Sequence, residues 1–198
     1  MFQPPKGTRD LLPKEMRRLN YVIARVEKVF KNYGYEPLDS PAFEDWELLS
    51  AKNAGGEELK KEIYYFKDKS DRELGLRYDL TVPAARIVAS DPSIAKPFKR
   101  YSIGKVWRYD QPQAGRYREF WQADVDIFGS ELPVADAEVI VVAVECLRKL
   151  GFKDFRVRLN DRRVIERKVV NLGITNPLEV FRCLDKLGRG VIHGQDSG

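Results

Sequence analysis

Two stretches dominate what this chain can become. FKRYSIGKVWR starts at Phe98 and REFWQADVDIF starts at Arg118, and both alternate polar and apolar side chains. Alternation at a period of two is the mark of a strand with one wet face and one dry face. The joining segment YDQPQAGRY carries Pro112 and Gly115, residues that turn a chain back on itself. The pair therefore reads as a long antiparallel hairpin. In its second strand Trp121, Ala123, Val125 and Ile127 share one face, expected to pack on helices. Phe120, Gln122, Asp124 and Asp126 share the other. Alternation alone also describes any half-solvated strand, so the polar face by itself leaves that plain reading open.

The rest of the chain supplies the partners such a ribbon needs. Met16, Leu19, Ile23, Val26, Phe30 and Tyr33 recur at helical spacing after Pro13, and Gly34 stops the run. YEPLDSP reads as extended, and a helix is expected near Glu44 to Lys52. IYYFKD and ELGLR read as strands around KSDRE. TVPAARIVAS, the stretch from Val134 to Leu150, DRRVIERKVVNLG and Pro177 to Leu187 read as helices, and FRVRLN as a further strand. Strands that pair through adjacent hairpins, with helices flanking, argue for an antiparallel sheet in an α+β domain. A doubly wound fold is disfavoured because strands and helices do not alternate. Neither GxGxxG nor GxxxxGK[ST] occurs, so the two common nucleotide loops are absent.

Composition narrows the function classes. A chain of 198 residues with 43% hydrophobic and 33% charged side chains can bury a core of its own. A net charge of +5 permits a polyanionic partner without requiring one, since a lysine-rich solvated surface gives the same figure. Cys146 and Cys183 have neither metal-ligand nor disulfide-framework spacing and read as reduced core thiols, which suits a cytoplasmic location. The opening MFQPPKG does not read as a signal peptide, and the longest apolar run, VIVVAV from Val139, is far short of the roughly 20 residues of a membrane span. The single histidine, His193, sits in a glycine-rich tail and reads as a bystander. The basic face of DRRVIERKVVNLG reads as a solvated helix face or as a surface toward RNA.

The loop gives the hairpin its chemistry. Arg108, Arg116 and Arg118 bracket the turn. A guanidinium offers a rigid fork that matches phosphate oxygens, although these arginines could equally pair with Asp110 and Glu119. Arginines, then an aromatic ring, then an amide and carboxylates on one strand face form a coherent site for a phosphate, a flat ring and an ammonium group.

The stretch Arg108 to Gly129, and GRYREFWQADVDIFG in particular, resembles motif 2 of the class II aminoacyl-tRNA synthetases in the form found in histidyl-tRNA synthetases. KGTRDLLPKE at Lys6 resembles the N-terminal signature of that family. YEPLDSPAFED, with Pro41, resembles motif 1, the dimer-forming element. LRYDLTVPAARIVA from Leu76 resembles the amino-acid-binding segment. The resemblance runs to about Leu187, and the motif forms are closer to archaeal and eukaryotic members than to most bacterial ones.

The resemblance implies a class II synthetase-like antiparallel sheet flanked by helices. It implies ATP, entering with Mg2+, and histidine as substrates, tRNA(His) as the acceptor, a homodimer through the motif 1 region, and no protein metal ligands. Residue by residue, Arg108 takes the position that contacts both the α-phosphate and the substrate carboxylate, and is the catalytic position. Asp110, Arg116 and Phe120 take ATP-binding positions, Phe120 stacking on adenine and Arg116 near the γ-phosphate. Asp79, Leu80, Thr81 and Gln122 take positions around the α-amino group, Leu80 through its backbone. Asp126 takes the position facing the imidazole. Read from the residues alone, Asp79 is equally a helix cap before TVPAARI. Asp124 matches no role. No stretch resembles motif 3, the second histidine signature or the anticodon-binding domain, so residues 1–188 are expected to form the N-terminal part of a catalytic core and 189–198 an atypical tail. The competing reading is a synthetase-like regulatory subunit of ATP phosphoribosyltransferase. Such a subunit need not keep Arg108, Asp79, Thr81, Gln122 and Asp126 together.

Overall fold

The computed structural model describes residues 2–51, 61–109, 115–174 and 180–181. The chain divides into two compact units, Met1–Lys153 and Asp154–Gly198. In the first, helix α1 spans Pro13–Asn32. Proline at the first helical position has no N–H to lose, and the Glu15 carboxylate accepts the Leu12 N–H at 3.0 Å. Gly34 follows at φ 75°, the left-handed conformation that ends the helix as the sequence predicts. Strand β1 is Glu36–Pro37, β2 is Phe43–Asp45 and α2 is Trp46–Ser50. The helix expected from Glu44 thus starts later, because residues 43–45 pair with Leu74–Leu76 instead. Strands β3 (Tyr65–Lys67) and β4 (Glu73–Leu76) follow, then α3 (Thr81–Ser90). The long ribbon is β5 (Phe98–Trp107) and β6 (Glu119–Phe128), and α4 (Pro133–Lys149) closes the unit.

The architecture is α+β, with one difference from the expected single sheet. The strands form two three-stranded sheets, β1-β5-β6 and β2-β4-β3, and the β1–β5 pairing is parallel. Glu36–Pro37 runs alongside Arg100 and Tyr101, Leu38 N–H donates to the Tyr101 carbonyl at 2.9 Å, and the Ser102 hydroxyl donates to the Leu38 carbonyl. Pro37 is tolerated because β1 is an edge strand.

The dry face of the ribbon meets the helices as predicted. Val26, Val29 and Phe30 of α1, Tyr35, Tyr101 of β5 and Val142 of α4 form one buried cluster, with Val125 and Ile127 of β6 packed against it. Burying each such side chain contributes about 1.5–3 kcal/mol. The Phe30 and Tyr101 rings lie 5.5 Å apart, and the Tyr101 hydroxyl donates to Glu27 at 2.8 Å. Trp121 and Ala123, expected in the same layer, are exposed. They belong to the half of β6 nearer the loop, whereas the strand's contribution to the cluster begins at Val125.

In the second unit, Asp161 caps helix α5 (Arg162–Asn171) by accepting the Arg163 N–H at 2.9 Å. FRVRLN is not a strand. A strand needs a neighbour for its backbone groups, and among the described residues this unit has no strand to pair with. Residues 182–198 and most of the expected helix from Pro177 lie outside the described residues, Val180 and Phe181 being helical.

One side chain joins the two sheets. Arg77, just past β4, is buried. Its Nε donates to the Lys105 carbonyl at 3.0 Å and its Nη1 to the Ser40 carbonyl at 2.6 Å and the Ser40 hydroxyl at 3.1 Å. The guanidinium lies against Gly104, where an added Cβ would stand 2.8 Å from Nη2. Because Nε and Nη1 are pinned, the group cannot swing away. Gly104→Ala should therefore destabilise the fold by about 1–3 kcal/mol. Urea unfolding of the variant alone and in an Arg77→Met background checks this, and the penalty should largely vanish in the second.

Candidate functional site

The hairpin register sets the site. Arg100 faces Asp126, Ser102 faces Asp124, Gly104 faces Gln122 and Val106 faces Phe120. All eight lie on one face of the ribbon, opposite the helical core. Gly104 leaves room beside Gln122 for Arg77, and the turn from Tyr78 to Thr81 follows directly in sequence.

At the loop end, Arg108 is half-buried. Its Nε donates to the Tyr78 carbonyl at 3.0 Å and its guanidinium carbon sits 5.3 Å from the Phe120 ring centre. The backbone closes below it, Arg108 N–H donating to the Arg118 carbonyl at 2.9 Å. The pairing of Glu119 with loop arginines, left open by the sequence, gives way to another arrangement. The Glu119 carboxylate accepts from Lys105 Nζ at 2.7 Å and from the Trp107 Nε1–H at 2.9 Å. Arg118 turns to the N-terminal segment, its Nη1 3.4 Å from the Lys6 carbonyl and its guanidinium 4.2 Å from the Tyr109 ring centre. KGTRD is held there as well. Gly7 O accepts the Arg118 N–H at 2.7 Å, and Arg9 lies over Tyr117 at 4.2 Å. Arg108, exposed Arg116 and Phe120 line an open cleft of about 1300 Å3 together with this segment and α1. Asp110 lies outside the described residues.

The other end is acidic and much less open. Asp79 sits at the N-terminus of α3, where its carboxylate accepts the Val82 N–H at 2.9 Å and the Thr81 N–H. The capping reading of Asp79 is thus realised, and a helix N-terminus is also a favourable place for a carboxylate. Leu80 is buried. Thr81 Oγ1 lies 3.4 Å from Asp126 Oδ2. Gln122 Oε1 is buried with no hydrogen-bond partner among the described residues. The cleft at the loop end includes none of Asp79, Thr81, Gln122 and Asp126.

Sequence reasoning missed Arg100. It is fully buried and forms an ion pair with Asp126. The signal was present, since Arg100 falls on the polar face of β5 and the hairpin register sets it opposite Asp126.

Burial pushes the Asp79 and Asp124 carboxyls above the ordinary aspartate value. For Asp124 the positive charge of Arg100 opposes this, and the charges of Asp126 and Asp79 add to it. Tyr78, buried beside Asp79, is pushed up to about 12 and stays neutral. A folded state that holds a proton more tightly than the unfolded chain favours protonation. The contribution of Asp124 to stability is therefore present below the ordinary aspartate pKa and is lost as pH rises through its raised value. Asp124→Asn removes the charge and keeps the shape. Its melting temperature should exceed the parent's by a few degrees near about pH 7, and the gap should close toward about pH 3, as thermal unfolding across that range would show.

The histidyl-tRNA synthetase family profile matches residues 7–191. A histidine–tRNA ligase of Aeropyrum pernix is 50% identical over 97% of this chain and 44% of its own length. One from Korarchaeum cryptofilum is 44% identical over 98% of this chain and 46% of its own length. The chain thus spans less than half the length of the curated relatives it matches. Among solved structures, the histidyl-tRNA synthetase of Nostoc sp. PCC 7120 superposes with a TM-score of 0.75 at 30% identity, over 89% of this chain and 41% of that one. A Bacillus halodurans protein described as an ATP phosphoribosyltransferase regulatory subunit/histidyl-tRNA synthetase superposes with a TM-score of 0.71 at 29% identity, over 79% and 40% respectively. With the profile covering nearly its whole length, the chain belongs to the histidyl-tRNA synthetase family.

Proposed function

We propose that this chain forms the N-terminal catalytic portion of a histidine–tRNA ligase, which activates histidine with ATP and transfers it to tRNA(His). The observation that carries the reading is the polarity of one strand face. Arginines and an aromatic ring occupy its loop end, and carboxylates with an unpartnered amide oxygen occupy its other end. Histidine has a matching polarity, with a carboxylate to present toward ATP and an ammonium and an imidazole to be held away from it.

The reaction asks little covalent chemistry of the protein. The histidine carboxylate attacks the α-phosphorus and pyrophosphate departs. Catalysis is then positioning plus stabilisation of the charge that develops between carboxylate and phosphate. Arg108 takes that role, its direction set by the bond to the Tyr78 carbonyl. Phe120 offers a face to adenine, and Arg116 reaches the outer phosphates. Gln122 Oε1, a buried acceptor, is satisfied by one ammonium hydrogen. Asp79 supplies the opposite charge, Thr81 a further oxygen and Leu80 the second lone pair of its carbonyl. Asp126 meets the imidazole with the oxygen that Arg100 does not occupy. Mg2+ enters bound to the phosphates of ATP. The regulatory-subunit reading gains nothing from the site, because Arg108, Asp79, Thr81, Gln122 and Asp126 are all retained.

We assign the working enzyme to the cytoplasm as a homodimer joined through the region around Pro41. Among the described residues no helix is long and apolar enough to cross a membrane. Sedimentation at micromolar concentration should give a dimer mass, and a clean monomer counts against the assignment.

Binding is the direct readout for a chain of this length. In calorimetric titrations Gln122→Ala should weaken histidine about tenfold and leave ATP nearly unchanged. Arg108→Ala should weaken ATP by about tenfold to a hundredfold. A folded chain that binds neither ligand would falsify the reading.

A further inference from the structure

The turn from Asp79 to Thr81 carries three of the groups assigned to the amino acid, and it is held from outside. Arg100 Nη2 donates to the Leu80 carbonyl at 3.1 Å, lies 3.4 Å from Thr81 Oγ1 and pairs with Asp126. On the other side of the same residue, the Leu80 N–H faces the Asp124 carboxylate and favours its charged form. Leu80 thus has its carbonyl held by Arg100 of β5 and its N–H turned toward Asp124 of β6. Arg100 and Asp124 are near neighbours there, since Arg100 faces Asp126 across the hairpin and Asp124 stands two residues before it on the same face.

We propose that Arg100 and Asp124 are positioning residues that clamp the Leu80 peptide units, and so set the placement of Asp79 and Thr81 relative to Gln122 and Asp126. This deepens the ligase reading and rests on it. Neither residue touches the substrate. Arg100 is fully buried, and Asp124 acts through the Leu80 N–H. The clamp ties the N-terminus of α3 to the floor of the ribbon beside the direct contact of Thr81 Oγ1 with Asp126. A shift of about 1 Å between groups that hold one ligand is enough to cost one to two orders of magnitude. The ATP end is tied differently, through Arg108 to the Tyr78 carbonyl and through the N-terminal segment to Arg118. Loosening the clamp therefore separates the two ligands.

The test is calorimetric titration of L-histidine and, separately, of ATP into the 198-residue chain and three variants, each checked for folding by circular dichroism. Arg100→Lys keeps the charge and loses the guanidinium whose Nη2 meets Leu80, Thr81 and Asp126. Asp124→Ala removes the acceptor for the Leu80 N–H, and Asp124→Asn keeps an oxygen there. Arg100→Lys and Asp124→Ala should weaken histidine about tenfold or more with ATP within about twofold, and Asp124→Asn should stay within about threefold of the parent for both ligands. Equal loss of both ligands, or no loss of either, overturns the clamp and leaves the ligase reading standing. A parent chain that binds ATP and not histidine overturns the assignment of the acidic end, and the clamp falls with it. If Arg100→Lys does not fold, the contrast between the two Asp124 variants decides alone.

Discussion

Two guanidinium groups taken out of water hold the turn from Arg77 to Thr81 against the β5–β6 ribbon. Arg77 bonds to the Lys105 and Ser40 carbonyls and so ties the end of β4 to both sheets. Arg100 bonds to the Leu80 carbonyl and pairs with Asp126. A buried arginine is costly to desolvate, and replacing such a pair with apolar groups of similar volume is often neutral or stabilising. Removing one partner from a buried pair costs about 3–5 kcal/mol, because the other charge is left behind. What these arginines add is orientation. A guanidinium fixes several acceptors at once, and an apolar contact would leave the turn free to slide.

The same arrangement concentrates charge. Asp79, Asp124 and Asp126 lie near one another, with Arg100 paired to Asp126, and burial holds Asp79 and Asp124 back from ionising. Such crowding opposes stability and suits a pocket for a cation. On the ligase reading proposed above, an incoming ammonium supplies positive charge among these carboxylates and a donor to Gln122 Oε1. The gain on binding is larger because the free site is less satisfied, which is the common relation between a stable fold and a working site.

Much of this was legible in the residues. The period of two in FKRYSIGKVWR and REFWQADVDIF set the hairpin and its faces, and the spacing of Val26, Phe30 and their neighbours set α1 against it. What escaped has physical causes. The partner of β1 is Arg100–Tyr101, far along the chain, and a parallel pairing of two residues leaves no local pattern. FRVRLN alternates like a strand, but alternation describes side chains and says nothing of whether a neighbour exists. Trp121 looks like core by type, and its exposure follows from where along β6 the cluster with α1 and α4 begins. Arg100 was passed over because a lone arginine in a strand reads as surface. Only the hairpin register, Arg100 opposite Asp126, turns it into a buried counter-ion.

The register also explains why the core and the site cannot be altered separately. Sliding β6 by one residue against β5 would move Val125 and Ile127 out of the cluster with α1 and α4, and would carry Gln122, Asp124 and Asp126 to the helical side. The apolar face therefore does more than stabilise the sheet. By insisting on Val125 and Ile127 it dictates which residues face Asp79 and Arg108. Helix packing on one side of a two-stranded ribbon thus fixes the order arginine end, amide, carboxylate on the other. The order survives exchange of polar residues on the wet face better than it survives a change of pattern on the dry one.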